Sequence, residues 1–195
     1  MLKTEMKFIK NAITDRLLWN DFKPLKKKPY SKKILIGYCP SRDRDNGCIA
    51  IVAPLTKKHA KYRVLEIEKI KDSSPQGHVR LIKGFTKKYN AKHIGVDVTA
   101  MGTLIFDSVL SSSYTTAKLD DYDKRIPQFI MQAKFLLMNE LIEWDYSYSY
   151  LNHLFVGLVN LYSSPYSVAS RKGPDYIFKK YRPVLAILNA ISFLN

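Results

Sequence analysis

The sequence ILIGYCPSRDRDNGCIAIVA, from Ile34 to Ala53, carries the clearest fold signal in the chain. Two short runs rich in isoleucine and valine, Ile34–Gly37 and Cys48–Ala53, flank a polar loop over Cys39–Gly47. Runs of β-branched residues bounded by such loops are typical of strands. A third run of this kind is Tyr62–Ile67. Three strands joined by short polar loops predict an antiparallel meander.

Downstream of the meander the periodicity changes to helix and back to strand. Pro75 opens a predicted helix with apolar residues at helical spacing, namely Val79, Ile82, Phe85 and Tyr89. Ile94–Val98 predicts a buried strand and Met101–Leu110 a short helix. A strand that follows a helical crossover normally forms a right-handed parallel pair. The prediction is an α/β fold with a mixed sheet, antiparallel strands first and parallel ones after, flanked by helices.

The rest of the chain predicts three more helices and one extended piece. Pro127 and Pro183 stand at the heads of two of the helices, and the second of these covers Val184–Leu194. Leu141–Trp144 is extended and Ser163–Gly173 is a loop. The third helical face carries Leu151, Leu154, Leu158 and Tyr162.

The N-terminal 32 residues differ in character from the remainder of the chain. Apolar residues recur there at amphipathic-helix spacing, at Met6, Ile9, Ile13 and Leu17. Lys23–Lys33 is then rich in lysine and proline and reads as a connector. We therefore expect an N-terminal helix and basic linker over residues 1–32 and a globular domain over residues 33–195.

Charge is the main compositional signal. The 195 residues include 32 Lys plus Arg against 17 Asp plus Glu, a net charge of +15. This excess favours a polyanionic partner such as double-stranded DNA, with a merely basic surface as the alternative. The sequence predicts no signal peptide, and its apolar runs are shorter than the roughly 20 residues of a membrane-spanning helix. We expect a cytoplasmic protein with no membrane contact.

Asp97 is the first candidate for chemistry, because it ends the apolar strand of HIGVDVT. A carboxylate in that position is costly unless it accepts hydrogen bonds or holds a metal. Sites in open α/β sheets collect at the carboxyl ends of strands. The alternative is a local cap in which Asp97 accepts from the amides of Thr99–Met101.

The loop after the first strand is the second candidate. If the strands ending near residues 37 and 97 are neighbours, a carboxylate at the end of each strand can hold the same pair of divalent ions. Two ions held in this way are the arrangement that cleaves phosphodiesters. Residue 39 would supply that acid, but it is Cys39, and a thiol is a poor ligand for Mg²⁺. Asp43 and Asp45 either replace it or form a solvated turn with neighbouring arginines.

The ordered set of motifs resembles the C-terminal nuclease domain of the large, ATPase-bearing subunit of tailed-phage DNA-packaging terminase. The similar segments, in order, are KILIGYCPSRDRDNGCIAIVAPL (33–55), KYRVLEIEKIK (61–71), KKYNAKHIGVDVTAMG (87–102), QAKFLLMNELIEWD (132–145) and LAILNAI (185–191). The resemblance implies an RNase H-like fold, and a domain that cuts viral DNA with three acidic residues and two divalent metals. It also implies phage packaging proteins as further partners. The ATPase core itself is absent, because no GxxxxGK[ST] motif occurs in the chain.

The resemblance assigns site residues and shows where this chain departs from the family. Asp97 corresponds to a retained acid, and Asp45 is a possible helper. Cys39 and Arg182 stand at the other two acidic positions, so both are degenerate catalytic positions. The metal-ligand candidates are accordingly Asp97, Asp45 and, more weakly, Asp43.

These departures predict a truncated, prophage-derived terminase nuclease-domain remnant with impaired or absent two-metal endonuclease activity. Mg²⁺ or Mn²⁺ is the expected cofactor if the domain is active, and otherwise none is expected. One alternative is an active endonuclease built on Asp97, Asp45 and Asp43. The other is a non-enzymatic protein that binds DNA or a packaging partner on the same scaffold.

Overall fold

The structure is a computed structural model that describes residues 18–19, 33–40, 46–55, 61–71, 74–99, 101–110, 115–119, 122–161 and 168–192. The strands are β1 (Leu18–Trp19), β2 (Leu35–Cys39), β3 (Gly47–Pro54), β4 (Tyr62–Ile70), β5 (His93–Asp97), β6 (Thr115–Leu119) and β7 (Ile142–Asp145). The helices are α1 (Pro75–Tyr89), α2 (Gly102–Leu110), α3 (Tyr122–Met138), α4 (Tyr150–Asn160) and α5 (Val168–Ile191), with a 3₁₀ turn at Tyr146–Tyr148.

All seven strands form one mixed sheet in the order β1-β7-β4-β3-β2-β5-β6. The central strands β2, β3 and β4 are antiparallel to one another, as the meander predicts. The outer pairs β2–β5, β5–β6, β4–β7 and β7–β1 are parallel. The predicted mixed α/β sheet, with β5 arriving parallel to β2 after a helical crossover, is confirmed.

Helices cover both faces of the sheet. One core lies under α3, α4 and α5 and includes Trp144, Phe155 and Tyr181. The other lies under α1 and α2 and includes Tyr38, Ile51 and Ile82. Every residue of β2 is buried, which fits a central strand covered on both sides and explains its continuous apolar sequence.

Helix α5 makes a backbone contact with β2. A Cβ on Gly37 would overlap the carbonyl oxygen of Ala186 and stand 2.5 Å from the amide nitrogen of Ala190. Only glycine on the strand allows this approach of the helix backbone. The contact fixes α5 across the centre of the sheet and so determines what its neighbouring side chains meet.

Two predicted helix starts are wrong. Pro127 lies inside α3, which begins at Tyr122, and Pro183 lies inside α5, which begins at Val168. The predicted Ser163–Gly173 loop is therefore helical from Val168 onward. An interior proline removes one backbone hydrogen bond, but the buried apolar face of each helix continues past it and stabilises the longer element.

Some predicted elements lie outside the described residues, and two strands were not predicted. The helix over Met6–Leu17 and most of the connector Lys23–Lys33 fall in residues 1–17 and 20–32, which the structure does not describe. Leu18–Trp19 extends the sheet from within that N-terminal segment. The other unpredicted strand, β6 at Thr115–Leu119, is so short that its sequence pattern does not distinguish a strand from a loop. Within the described ranges, no helix is long and apolar enough to cross a membrane.

Candidate functional site

Asp97 is the centre of the candidate site. It is fully buried at the carboxyl end of β5, where its Oδ1 accepts hydrogen bonds from the Thr99 amide at 2.9 Å and the Thr99 hydroxyl at 2.6 Å. The turn then leads directly into α2, where a Cβ on Gly102 would overlap the Asp97 carbonyl oxygen. Of the amides that the capping alternative names, that of Thr99 is bonded to Asp97, and Thr99 lies before the first turn of α2. The hydrogen bonds from Thr99 occupy Oδ1 and leave the catalytic role of Asp97 a prediction.

Cys39 lies beside Asp97, as the neighbouring-strand argument predicts. Tyr38 of β2 pairs in parallel with Val96 of β5, so the next residues, Cys39 and Asp97, are adjacent at the sheet edge. The alternation of the strands directs both side chains to the α5 face. On its other side Cys39 pairs with Cys48 of β3, and both thiols are buried.

Arg182 reaches the same edge from α5. Its side chain is only 7% exposed, and Nη1 donates a hydrogen bond to the Asn46 carbonyl just before β3. The guanidinium partly opposes the burial that raises the pKa of both Tyr38 and Cys48, so its charge is felt at the ends of β2 and β3. The structure therefore brings Arg182 to the strand-end region where the resemblance expects an acid.

Two further buried polar residues fix this edge, and sequence reasoning missed both. Asn189 of α5 is fully buried and donates from Nδ2 to the Tyr38 carbonyl at 2.9 Å. On the opposite face Tyr38 Oη and His78 Nδ1 share a 2.8 Å hydrogen bond. Asn189 was visible in the sequence as the one polar residue of LAILNAI, and His78 stands four residues before Ile82 on the apolar face of α1.

Burial raises the pKa of Tyr38 well above its usual range, and electrostatic interactions with Cys39 and Asp97 add to this effect. The hydroxyl therefore stays protonated at all ordinary pH values. The protonated Tyr38 hydroxyl and His78 thus form a structural hydrogen bond that joins β2 to α1.

The described residues do not fit a two-metal centre. Among them, no group of three or more His, Cys, Asp or Glu side chains is placed to hold an ion. Asp97 has the Cys39 thiol beside it on β2, and the Arg182 guanidinium reaches the same end of the sheet. Asp43 and Asp45, the predicted helpers, lie at positions 41–45 outside the described residues.

Known proteins are similar to this chain in sequence. The family model described as Terminase RNaseH-like domain matches residues 36–143. The terminase ATPase subunit of Escherichia phage P2 is 28% identical over 142 residues, covering 72% of this chain and 24% of that protein. The probable terminase ATPase subunit of Haemophilus phage HP1 is 25% identical over 131 residues, covering 66% and 22%. The chain thus spans about a quarter of the length of these relatives.

Solved structures show the same fold. The large terminase nuclease of thermophilic phage G20c aligns with a TM-score of 0.58 and 15% identity, covering 85% of this chain and 84% of that one. A structure of that nuclease with bound magnesium gives 0.59 and 14%, with coverage of 84% and 82%. The manganese-soaked, inhibitor-bound human cytomegalovirus terminase nuclease domain gives 0.57 and 11%, covering 96% and 93%.

The family match extends from β2 through β5 into β7, and the structural likeness confirms the predicted RNase H-like arrangement of the sheet. The chain belongs to the family of terminase RNaseH-like domains.

Proposed function

We propose that the chain is a prophage-derived nuclease-type domain of a terminase large subunit, related to viral DNA packaging and cleavage, in which two-metal endonuclease activity is impaired or absent. The observation that supports this is the composition of the strand-end site. Asp97 is accompanied there by buried Cys39 and buried Arg182 instead of two further carboxylates.

Charge explains why this replacement should stop turnover. Two divalent ions in one site repel each other and need anionic ligands to be held about 3.5–4 Å apart. A thiol supplies no hard oxygen, and a guanidinium adds a positive charge where negative charge is required. Replacing one carboxylate weakens the binding of the ions and the positioning of the attacking water. Replacing two leaves too little negative charge to hold both ions.

A supercoiled-plasmid nicking assay in Mg²⁺ and in Mn²⁺ tests the proposal. We expect the native chain to be silent and Cys39→Asp/Arg182→Asp to nick DNA. Adding Asp97→Ala to that double variant should abolish nicking again. Thermal melting of each variant, followed by circular dichroism, separates loss of activity from loss of fold. Nicking by the native chain that disappears in Asp97→Ala would overturn the proposal, and Asp45→Ala and Asp43→Ala would then show whether those aspartates rebuild the site.

A second candidate function is binding of double-stranded DNA or a packaging protein without cleavage. The net charge of +15 favours it, because each phosphate contact by a lysine or arginine releases a counterion. Binding to duplex DNA in EDTA should weaken steeply as salt rises, with log K falling linearly with log salt concentration. Binding that salt does not affect would exclude this electrostatic mode.

A further inference from the structure

A cationic pocket lies next to the strand-end site. It has a volume of about 420 Å³ and opens between the start of β3, the end of β4, α4 and α5. Four cationic side chains line it: Lys69, Lys179, Lys180 and Arg182. No carboxylate belongs to its lining within the described ranges. Such a concentration of one sign of charge in a concave site favours an anionic ligand.

Arg182 gives this pocket an unsatisfied cation. The side chain is 7% exposed and donates from Nη1 to the Asn46 carbonyl, whereas its buried Nε has no hydrogen-bond acceptor among the described residues. Among the described residues, Glu143 forms ion pairs with Lys61 and Arg63, and Glu66 forms one with Lys88, so neither carboxylate pairs with Arg182. A buried charge without a counterion is costly, and an anion in the pocket would offset part of that cost.

The neutral groups of the pocket do not supply that counterion. Burial raises the pKa of Cys48 to about 12, Arg182 and Lys69 oppose the shift and Glu68 adds to it, so the thiol stays protonated. Burial also raises the pKa of Tyr150 to about 12, which keeps its hydroxyl available as a donor. A hydrogen bond to Tyr176 raises the pKa of Lys180 and keeps that ammonium charged.

The size and the apolar wall of the pocket indicate more than a simple ion. A volume of about 420 Å³ lies within the range of small-ligand sites, roughly 300–1,000 Å³. Tyr150 and Leu154, one turn apart on α4, also line the pocket and give it apolar surface. A tyrosine ring in that position can stack on a sugar or base while the cations hold a phosphate.

We propose that this pocket binds the phosphate group of a nucleotide, either a free mononucleotide or the 5′-phosphorylated end of a DNA strand. A terminal phosphate carries about −1.5 to −2 charges near pH 7, against one for an internal phosphodiester, so it gains more from converging cations. The proposal does not depend on the loss of cleavage.

The test is fluorescence anisotropy in EDTA, where metal-dependent cleavage cannot contribute. The probe is a short 3′-labelled thymidine oligonucleotide with or without a 5′-phosphate. We expect the phosphorylated probe to bind the native chain about tenfold more tightly. Lys69→Gln and Arg182→Met should each remove most of that preference. Lys87→Gln, which removes one exposed lysine charge from α1, is the matched control and should leave the preference intact.

Competition with thymidine 5′-monophosphate distinguishes the two sources of the phosphate. Displacement of the probe by the mononucleotide at a similar concentration supports a free nucleotide, and displacement only by phosphorylated oligonucleotide supports a DNA end. Equal affinity for the two probes would overturn the proposal. Equal weakening by Lys69→Gln and Lys87→Gln would overturn it too, because it would reveal general charge attraction. Lys69 is exposed, so its variant stays informative even if Arg182→Met fails to fold.

Discussion

Strand β2 and helix α5 meet in two places that differ sharply in how tightly the sequence is constrained. At the centre of the sheet Gly37 lies against Ala186 and Ala190, with no room for one additional carbon. At the strand end, two residues further along β2 and one turn back along α5, Cys39 and Arg182 stand where the family resemblance expects acids. At the centre, backbone contact restricts which residue fits, whereas at the strand end the residues differ mainly in charge. With Cys39 and Arg182 assigned as proposed, the comparison predicts that this scaffold persists when the chemistry of its site is replaced.

The largest effect is expected at the centre. Gly37→Ala should destabilise the fold by at least about 3 kcal/mol, because its new Cβ overlaps helix backbone that cannot rotate away. Gly84→Ala, on the exposed face of α1 with no atom within 4 Å of the added carbon, should instead stabilise by about 0.5–1 kcal/mol. Urea unfolding of both variants measures the contrast. Similar stabilities would contradict the close approach of α5.

A smaller loss is expected where the strand end is joined to α1. Tyr38→Phe removes the hydroxyl that bonds buried His78 and should cost about 1–3 kcal/mol. Tyr146→Phe is the matched control, since Tyr146 is mostly exposed, and should leave stability unchanged. Equal denaturation midpoints for the two variants would argue that the Tyr38–His78 bond contributes nothing.

The charged end of the contact should contribute still less to stability. Arg182→Met removes a buried cation that has no carboxylate partner among the described residues, so the relief of desolvation offsets the lost bond to Asn46. We expect a change within about 1 kcal/mol. Arg63→Met should lower the free energy of unfolding by more, because it removes the cation that pairs with partly buried Glu143. If Arg182→Met lowers the free energy of unfolding by more than Arg63→Met does, the strand end contributes to stability and this expectation is wrong.

The smallest effect concerns the opposite end of β5. Burial, with help from Lys33, lowers the pKa of His93 below its ordinary value of 6.5. The unfolded chain therefore binds a proton before the folded chain does, and stability should decline as pH falls below about 6.5. His93→Gln should reduce this slope in urea titrations between pH 7 and pH 5, with His153→Gln as the matched control. An unchanged slope in His93→Gln would contradict the assignment.

The sequence predicted most of the sheet because the relevant signals are local. The β-branched runs at β2, β3 and β5 and the apolar spacing of α1 each lie within one element. The starts of α3 and α5 were mispredicted because proline is a weak stop signal when tertiary packing buries the continuing helix. Asp97 and Cys39 were expected to be neighbours from strand topology alone. The bonds of Asn189 and His78 join residues far apart in sequence, so no local pattern could reveal them.

Manganese binding tests the central claim most directly, namely that the scaffold of this family is retained while its metal site is lost. Isothermal titration of Mn²⁺ into the native chain should show no saturable binding. Cys39→Asp/Arg182→Asp should bind Mn²⁺ saturably and gain thermal stability from it, and both effects should disappear when Asp97→Ala is added. Saturable binding by the native chain that depends on Asp97 would contradict the account.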